Sequence, residues 1–552
     1  MNNPKALSAI DPRIRVYVPP VAVVWQSTGD AASGAEHLLQ PGSGSCHLRY
    51  KSNSKAAPGI LLDFGRELHG GIVIYNGMTP KQEAVPVRVR FGESVVEAME
   101  TPNQDHAIHD QEILIPWYGS TEFGNTGFRF VRIDMVKPGA HIEIKECKAA
   151  FLHRDLRYVG SFRCSDERLN KIWDVGAYTV HLCMQDMLWD GIKRDRLPWI
   201  GDAHPETMII NSVFEKDNSV PRTLDYVRDE TPLPNWMNGI SSYSIWWILT
   251  HSAWYLYRGD LAYLKEQREY LTDLIDLLLE HIGEDNQEIL NGFRFLDWPS
   301  SEDPAATHTG LHCLMIMAFR DGAALCDVLG ESAYQQKALE AAERMMTYTP
   351  PPTQAKQANA LLALSGLRDY TDINDAVLAV NPLQGISTFY GYYVLQARAK
   401  AGDYEGALEV IRSYWYKMLE LGATTFWEDF NLDWTQGEVV GIDQLVPEGA
   451  TSIHRDFGNF CYKGLRHSLC HGWAGGPTAW MSEHILGVRP MEPGCKTLLI
   501  DPHLADLDFA EGSFPTPLGP VTVRHEKTAS GEITSHWEAP EGIRIVTSEA
   551  EL

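Results

Sequence analysis

The chain is short of basic residues, has no paired-cysteine motif and no long apolar run, and each shortage removes a class of function. Lys and Arg number 47 against 73 Asp and Glu, a formal charge of −26. Phosphate backbones and anionic lipid surfaces are repelled by such a chain, so neither nucleic acid nor membrane is expected as a partner. No stretch approaches the ~18 consecutive apolar residues of a membrane span. The opening MNNPKALSAIDPRIRVYVPP lacks the apolar core and cleavage site of a secretory signal. The nine cysteines, at 46, 147, 164, 183, 313, 326, 461, 470 and 495, are odd in number and never spaced C-x-x-C. That gives no zinc pattern and fits free thiols in a reducing cytoplasm. The expectation is a cytoplasmic protein with no metal and no cofactor, its oligomeric state left open, a homodimer included.

What the chain does have is length, tryptophan and a change of period. At 552 residues it exceeds one hydrophobic core, and about three domains are expected. Residues 1–155 read as a β-sandwich: VPVRVRFGES (85–94) and HIEIKE (141–146) alternate apolar and polar, and Gly65, Gly70 and Gly71 break two apolar runs between 60 and 74. Ser165 is a plausible helix N-cap with Asp166 and Glu167 in the first turn, after which Leu169, Ile172, Trp173, Val180, Met184 and Met187 recur at helical spacing. Ten to twelve helical segments follow between 166 and 487, in a domain drawn at 156–489. Gly259, Gly330 and Gly402, spaced 71 and 72 apart, each end one helix before an acid that opens the next. That spacing is too long for a solenoid of ~34–47-residue repeats and points to a closed ring of helical hairpins, an (α/α)6 toroid. Residues 490–552 return to β as a small terminal sheet. The fold class is therefore multidomain: an all-α (α/α)6 ring flanked by an N-terminal β-sandwich and a C-terminal β-sheet domain.

The chemistry is expected in four segments that resist helical assignment, 190–205, 230–240, 284–310 and 424–472, all rich in Trp and acids. The first holds DGIKRDRLPWIGD (190–202), three acids and three bases around Pro198 and Trp199. The others contribute Trp236, then Asp297 and Trp298 with Glu302 and Asp303, then Trp427, Glu428, Asp429, Asp433 and Trp434, and finally HSLCHGWAGGP with His471 and Trp473. A charged loop is by default only a solvated surface. Carboxylates of unlike acidity beside aromatic platforms also suit a carbohydrate-cleaving site.

The segments GSFRCSDERLNKIWDVGAYTVHLCMQDMLWDGIKRDRLPWIGD, GATTFWEDF and HSLCHGWAGGPTAWMSEHILGVRP, in this order, resemble the α-L-rhamnosidases of glycoside hydrolase family 78, and GFRFVRIDM (127–135) resembles that family's N-terminal β-domain. The resemblance implies an (α/α)6 catalytic ring with β-domains and hydrolysis of terminal rhamnosides with inversion, in a compact member without further N-terminal modules. With Trp199 as anchor, Asp195 falls where the family has its general-acid glutamate, Asp190 on the leading sugar-contacting aspartate and Asp202 on the aspartate after glycine. Glu428 falls on the general base and His471 on the family's histidine. Two departures stand out: one residue fewer between Asp190 and Trp199, and aspartate in place of glutamate at the acid. The shorter side chain leaves room for Asp202 or another neighbour to take that role.

The resemblance thus makes Asp195 and Glu428 the catalytic pair. Asp190, Arg194, Trp199, Asp202, Trp236, Asp297, Trp298, Trp427 and His471 are the candidate sugar contacts, with Trp199, Trp298 and Trp427 packing on the apolar face of a deoxy sugar. Inversion requires an acid and a base roughly 6.5–9.5 Å apart. Arg194 and Arg196 are expected to point at carboxylates other than Asp195, because contact with it lowers its pKa. Each residue also has a structural reading: a salt bridge for Asp195, a cap or ion pair for Glu428, a helix cap for Asp202, a satisfied buried group for His471. Trp246, Trp247 and Trp254 are read as core; His204, Glu206, Asp303 and Asp433 are read first as structural. The competing functions are another exo-glycosidase or a polysaccharide lyase on the same ring, or a sugar-binding relative with little catalysis.

Overall fold

A computed structural model describes residues 11–100 and 109–551. Between 167 and 484, setting short 3-10 turns aside and counting helices that abut or lie one residue apart as one, the described residues form twelve helical segments. Six make an inner ring: Ile200–Val213, Ser241–Arg258, Pro304–Leu329, Lys356–Leu364, Gly391–Lys400 and Pro477–His484. Each packs on the next, and the last packs back on the first. The outer partners are Glu167–Cys183, Ser219–Glu230, 261–280, Ser332–Met345, 370–378 and 404–420. Six hairpins close a toroid.

Local chemistry sets the helix ends. Gly259, Gly330 and Gly402 have φ of 65°, 76° and 80°, the left-handed conformation glycine reaches without a Cβ clash. Asp260 and Asp403 then cap the following helices by accepting from Tyr263 N and Gly406 N, both at 3.1 Å; such a cap contributes about 1 kcal/mol. The even glycine spacing is nevertheless not a structural repeat. One hairpin boundary lies between Gly259 and Gly330 and two between Gly330 and Gly402, because Lys356–Leu364 and the helical segment after it, 370–378, are short. The first ring helix is capped by Asp166, which accepts from Arg168 N at 2.9 Å, and not by Ser165. Ser165 Oγ instead accepts from Asp508 N at 2.9 Å.

The described residues between 13 and 154 form nine antiparallel strands in one hydrogen-bonded network. Its longest strand, Gly59–Asn76, runs through the expected break at 65–71. The glycines there, with φ of 84° at Gly65 and 139° at Gly70, mark register shifts that bend the strand. One end of it pairs with Ala22–Gln26 and the other with His141–Arg154, so the network curls around one main apolar core. That core also takes in Leu182, Ile192 and Cys470 from the ring, which ties the sheet to the two loops of greatest interest.

The C-terminal sheets comprise 488–500 with 544–546, and 509–538. Ser161–Cys164, assigned from sequence to the helical domain at 156–489, pairs with Phe509–Phe514 and belongs to the C-terminal sheet. Val488–Pro490 straddles the boundary drawn at 489. Phe162 explains the pairing: its side chain is fully buried against the ring core, and the neighbouring Ser161 and Arg163 face out.

Candidate active site

A cavity of about 410 Å³ opens at one mouth of the ring, lined from all four loop segments. It brings together Asp190, Arg194, Asp195, Trp199, Asp202, Trp298, Glu428 and His471. Segment 190–199 is non-helical, and helix Ile200–Val213 begins directly after it, so Asp202 sits in the first turn, where the helix dipole favours an acid. Asn238 clamps this junction, accepting from Ile200 N and donating to Pro198 O, both at 3.1 Å.

The electrostatics divide the carboxyls into two kinds. Glu428 is buried, yet the Arg194 guanidinium and then His471 outweigh desolvation and hold its pKa below the ordinary glutamate value. Arg194 Nη2 donates to Glu428 Oε2, and Ser468 N donates to the same oxygen at 3.4 Å. His471 bridges the acids, Nε2 at 2.9 Å from Asp202 Oδ1 and Nδ1 at 3.6 Å from Glu428 Oε1. Burial pulls the imidazole pKa down, but Glu428 and Asp202 more than reverse this, and it is raised. Asp190 is pushed well above the carboxylate range, by burial and then by the like charges of Asp202 and Asp195, against the pull of His471. Burial likewise raises Asp202, against its bond from His471. A carboxylate whose pKa is lowered therefore shares a cavity with carboxyls whose pKa values are raised, the split in acidity that acid–base chemistry needs.

Arg194 departs from expectation. Its Nη1 lies 3.2 Å from Asp195 Oδ2 while Nη2 holds Glu428, so one guanidinium fork spans both members of the expected pair. Arg196 turns outward to Asn125 O and lies over the Trp189 ring at 6.0 Å. Asp195 and Arg196 have φ of 53° and 56°, a conformation that strains residues other than glycine by roughly 1 kcal/mol or more each. The strain sits where the motif is one residue short: fewer residues must turn the same corner.

Three expected contacts lie outside the cavity. Trp427 is 1% exposed, edge-on to Phe430. It adjoins Glu428 in a non-helical run, where neighbouring side chains point to opposite sides, so a cavity-facing Glu428 sends Trp427 into the core. Trp236 packs against His281 and donates to Asn291 Oδ1 at 2.6 Å. Asp297 is buried behind the wall, accepting from Ser387 Oγ at 2.5 Å and Trp298 N at 2.8 Å, its pKa pushed up to about 7 by burial. Asp303 caps helix Pro304–Leu329, and Trp246, Trp247 and Trp254 are core.

The sequence reading missed Tyr243, Phe293, Phe295, Cys461, Tyr462 and Arg466, all lining the cavity. Tyr243 donates to Asp202 Oδ2 at 3.4 Å, and Trp298 Nε1 donates to Tyr462 Oη at 2.7 Å. Tyr243 opens the helix directly after the 230–240 loop, and that position was the available signal. The others lie within loops singled out for composition, but nothing local says which of their side chains face inward.

A ring of six helical hairpins with acid-bearing loops at one mouth defines the six-hairpin glycosidase class. Residues 157–349 match the family model described as bacterial α-L-rhamnosidase 6 hairpin glycosidase domain, and residues 487–547 match the bacterial α-L-rhamnosidase C-terminal domain. Over these two stretches the chain is thus similar to the six-hairpin and C-terminal domains of bacterial α-L-rhamnosidases. An α-L-rhamnosidase from Alteromonas sp. (strain LOR) is 26% identical over 571 residues, covering 92% of this chain and 58% of that protein. The GH78 family rhamnosidase of Bacillus sp. GL1 superposes with a TM-score of 0.77 at 22% identity, covering 93% of this chain and 55% of that one. A Klebsiella oxytoca rhamnosidase with rhamnose bound superposes with a TM-score of 0.70 at 18% identity, over 86% of this chain and 96% of that one. The chain spans little more than half the length of the Alteromonas and Bacillus proteins and matches the Klebsiella protein almost end to end.

Proposed function

We propose that the protein is an inverting glycoside hydrolase that releases terminal α-L-rhamnose from rhamnosides. The observation that carries this reading is one 410 Å³ cavity in which Glu428 has a lowered pKa, Asp190 a raised one, and the Arg194 guanidinium spans Glu428 and Asp195. Glu428 takes the proton of a water attacking the anomeric carbon. Asp195, at the exposed rim of the same fork, protonates the departing oxygen. Asp190, Asp202 and His471 hold the sugar hydroxyls, and Trp199 and Trp298 pack on its apolar face.

A second assignment of the acid follows from one observation: the pKa of Asp190 is strongly raised. Against it, Asp190 Oδ1 already accepts from Leu197 N at 3.1 Å in the depth of the site. A lyase reading is disfavoured because Arg194, the cation a uronate needs, is engaged by Glu428 and Asp195. Incubation with an aryl α-L-rhamnoside beside a panel of other aryl glycosides tests the sugar, and proton NMR of the first product tests inversion. Release of rhamnose as the inverted anomer is expected. Preference for another glycoside, an unsaturated product or the retained anomer overturns the reading.

The nine cysteines, all free and eight of them buried, support a reducing compartment. Cell fractionation with detection of the chain outside the cytoplasm refutes that part of the proposal.

A further inference from the structure

Outside the cavity, a dense group of buried titratable side chains lies where the N-terminal sheet meets the ring: Glu93, Glu97, Lys193 and His454, each at most 2% exposed. Glu93, Glu97 and His454 have the mutual spacing of metal ligands. However, Lys193 Nζ lies 3.0 Å from Glu97 Oε1 and 3.5 Å from Glu93 Oε2, so an ammonium already serves as the cluster's cation.

The hydrogen bonds of this group converge on one stretch of main chain. Lys193 donates to Leu465 O at 2.6 Å and to His467 O at 2.8 Å. His454 Nε2 reaches His467 O at 3.0 Å. Glu93 Oε2 accepts from Leu469 N at 2.6 Å, and Oε1 accepts from Ser468 Oγ at 3.4 Å. The same stretch holds Glu428: Glu428 N donates to Ser468 O at 3.0 Å, and Ser468 N donates to Glu428 Oε2 at 3.4 Å. His471 follows two residues after Leu469.

Glu93 is itself firmly placed. Its N–H donates to Glu97 Oε2 at 2.9 Å, Ser94 Oγ accepts from Glu97 N at 3.1 Å, and Val95 N donates to Ile442 O at 2.8 Å. A general base displaced by about 1 Å loses on the order of a hundredfold in rate, so the element that fixes the 465–471 loop matters to the chemistry.

We propose that Glu93, a residue of the β-domain that does not line the cavity, is a positioning residue of the hydrolytic site, fixing Leu469 and through it the Glu428 carboxylate. The inference rests on the reading of Glu428 as the base. It makes the β-domain part of the active-site machinery and not an appended module. The side chain supplies two things, reach to the Leu469 amide at 2.6 Å and a carboxyl beside Lys193, whose pull opposes the burial that pushes the Glu93 pKa up to about 7.

Two conservative variants separate these contributions. Glu93→Asp keeps a carboxyl beside Lys193 but is one methylene too short for the Leu469 amide; Glu93→Gln keeps the reach and gives up the charge. Glu93→Asp is expected to lower kcat about tenfold or more with KM within about threefold, and Glu93→Gln to stay within about threefold of the parent. In a Glu428→Gln background, Glu93→Asp is expected to add no further loss, since both act at one point. Hydrogen exchange at the Leu469 amide is expected to speed up in Glu93→Asp and not in Glu93→Gln.

The reverse ranking of the variants, equal effects of the two, additive losses in the double variant, or unchanged Leu469 exchange in Glu93→Asp each overturn the proposal. Should Glu93→Asp fail to fold, Glu93→Gln still decides, because loss of kcat or of Leu469 protection in it refutes the proposal. If the parent chain hydrolyses no rhamnoside, the functional reading fails on its own, and the exchange measurement still judges Glu93.

Discussion

His471 and Asp202 form a buried pair, Nε2 to Oδ1 at 2.9 Å, with Glu428 3.6 Å from the other ring nitrogen. Because the folded pKa of His471 is raised, the stabilisation from its charged form is fully present below the unfolded value of about 6.5 and is lost as pH rises through the raised folded value. The difference in Tm between the parent and His471→Gln should therefore be largest in mildly acidic buffer and shrink toward alkaline pH. Thermal melts across that range check this, and a pH-independent difference shows that His471 is neutral in the fold.

Glu428→Gln should leave the fold intact and lower kcat on the order of 10²–10⁴-fold, the worth of a positioned proton acceptor. The lowered pKa of Glu428 places the acid limb of the parent's kcat/KM profile below the ordinary glutamate value of about 4.3. Steady-state kinetics over pH measures both. Near-normal turnover in a folded variant removes Glu428 from the mechanism.

Asp195→Asn should lose far more activity on a rhamnoside with a poor leaving group than on an activated aryl rhamnoside, which hardly needs protonation. Asp190→Asn should lose both alike if, as proposed, it acts on the sugar. The comparison is kcat/KM on the two substrates. If the leaving-group dependence appears in Asp190→Asn or Asp202→Asn, the proton donor is that residue.

Cys461 is the one exposed thiol among the nine and lines the cavity. Its alkylation by iodoacetamide should block hydrolysis, and Cys461→Ser should be active and resistant. Burial, the largest influence, raises its pKa, so inactivation should be slow at neutral pH and accelerate in alkali. Inactivation of Cys461→Ser at the parent's rate assigns the effect to another group.

What was legible in the sequence was what local spacing encodes. Apolar periodicity gave the helices, Gly259, Gly330 and Gly402 their ends, and shared composition the four loops that meet at the mouth. Facing was not legible. Trp199 reaches the cavity and Trp427 does not, and the difference lies in the path of a non-helical chain. Nor were pairings across long separations: the bond from Leu469 to Glu93 and the strand formed by Ser161–Cys164 depend on where distant segments dock. The strained turn at Asp195 and Arg196 was visible only as a missing residue.

The pairing of Ser161–Cys164 with Phe509–Phe514 also has a bearing on how the chain is made. The ring's last inner helix, Pro477–His484, and the partner strand of Phe162 are both synthesised late. At ~5–20 residues per second, the ribosome takes roughly 20–70 s to travel from the first strand to its partner. For that interval Phe162 lacks its cover, and the ring stays open until Pro477–His484 is made, which makes the nascent chain a candidate client for holding chaperones. Limited proteolysis of chains stalled before and after residue 514 measures this: protection of the ring should arrive late and all at once, and gradual protection, hairpin by hairpin, excludes it.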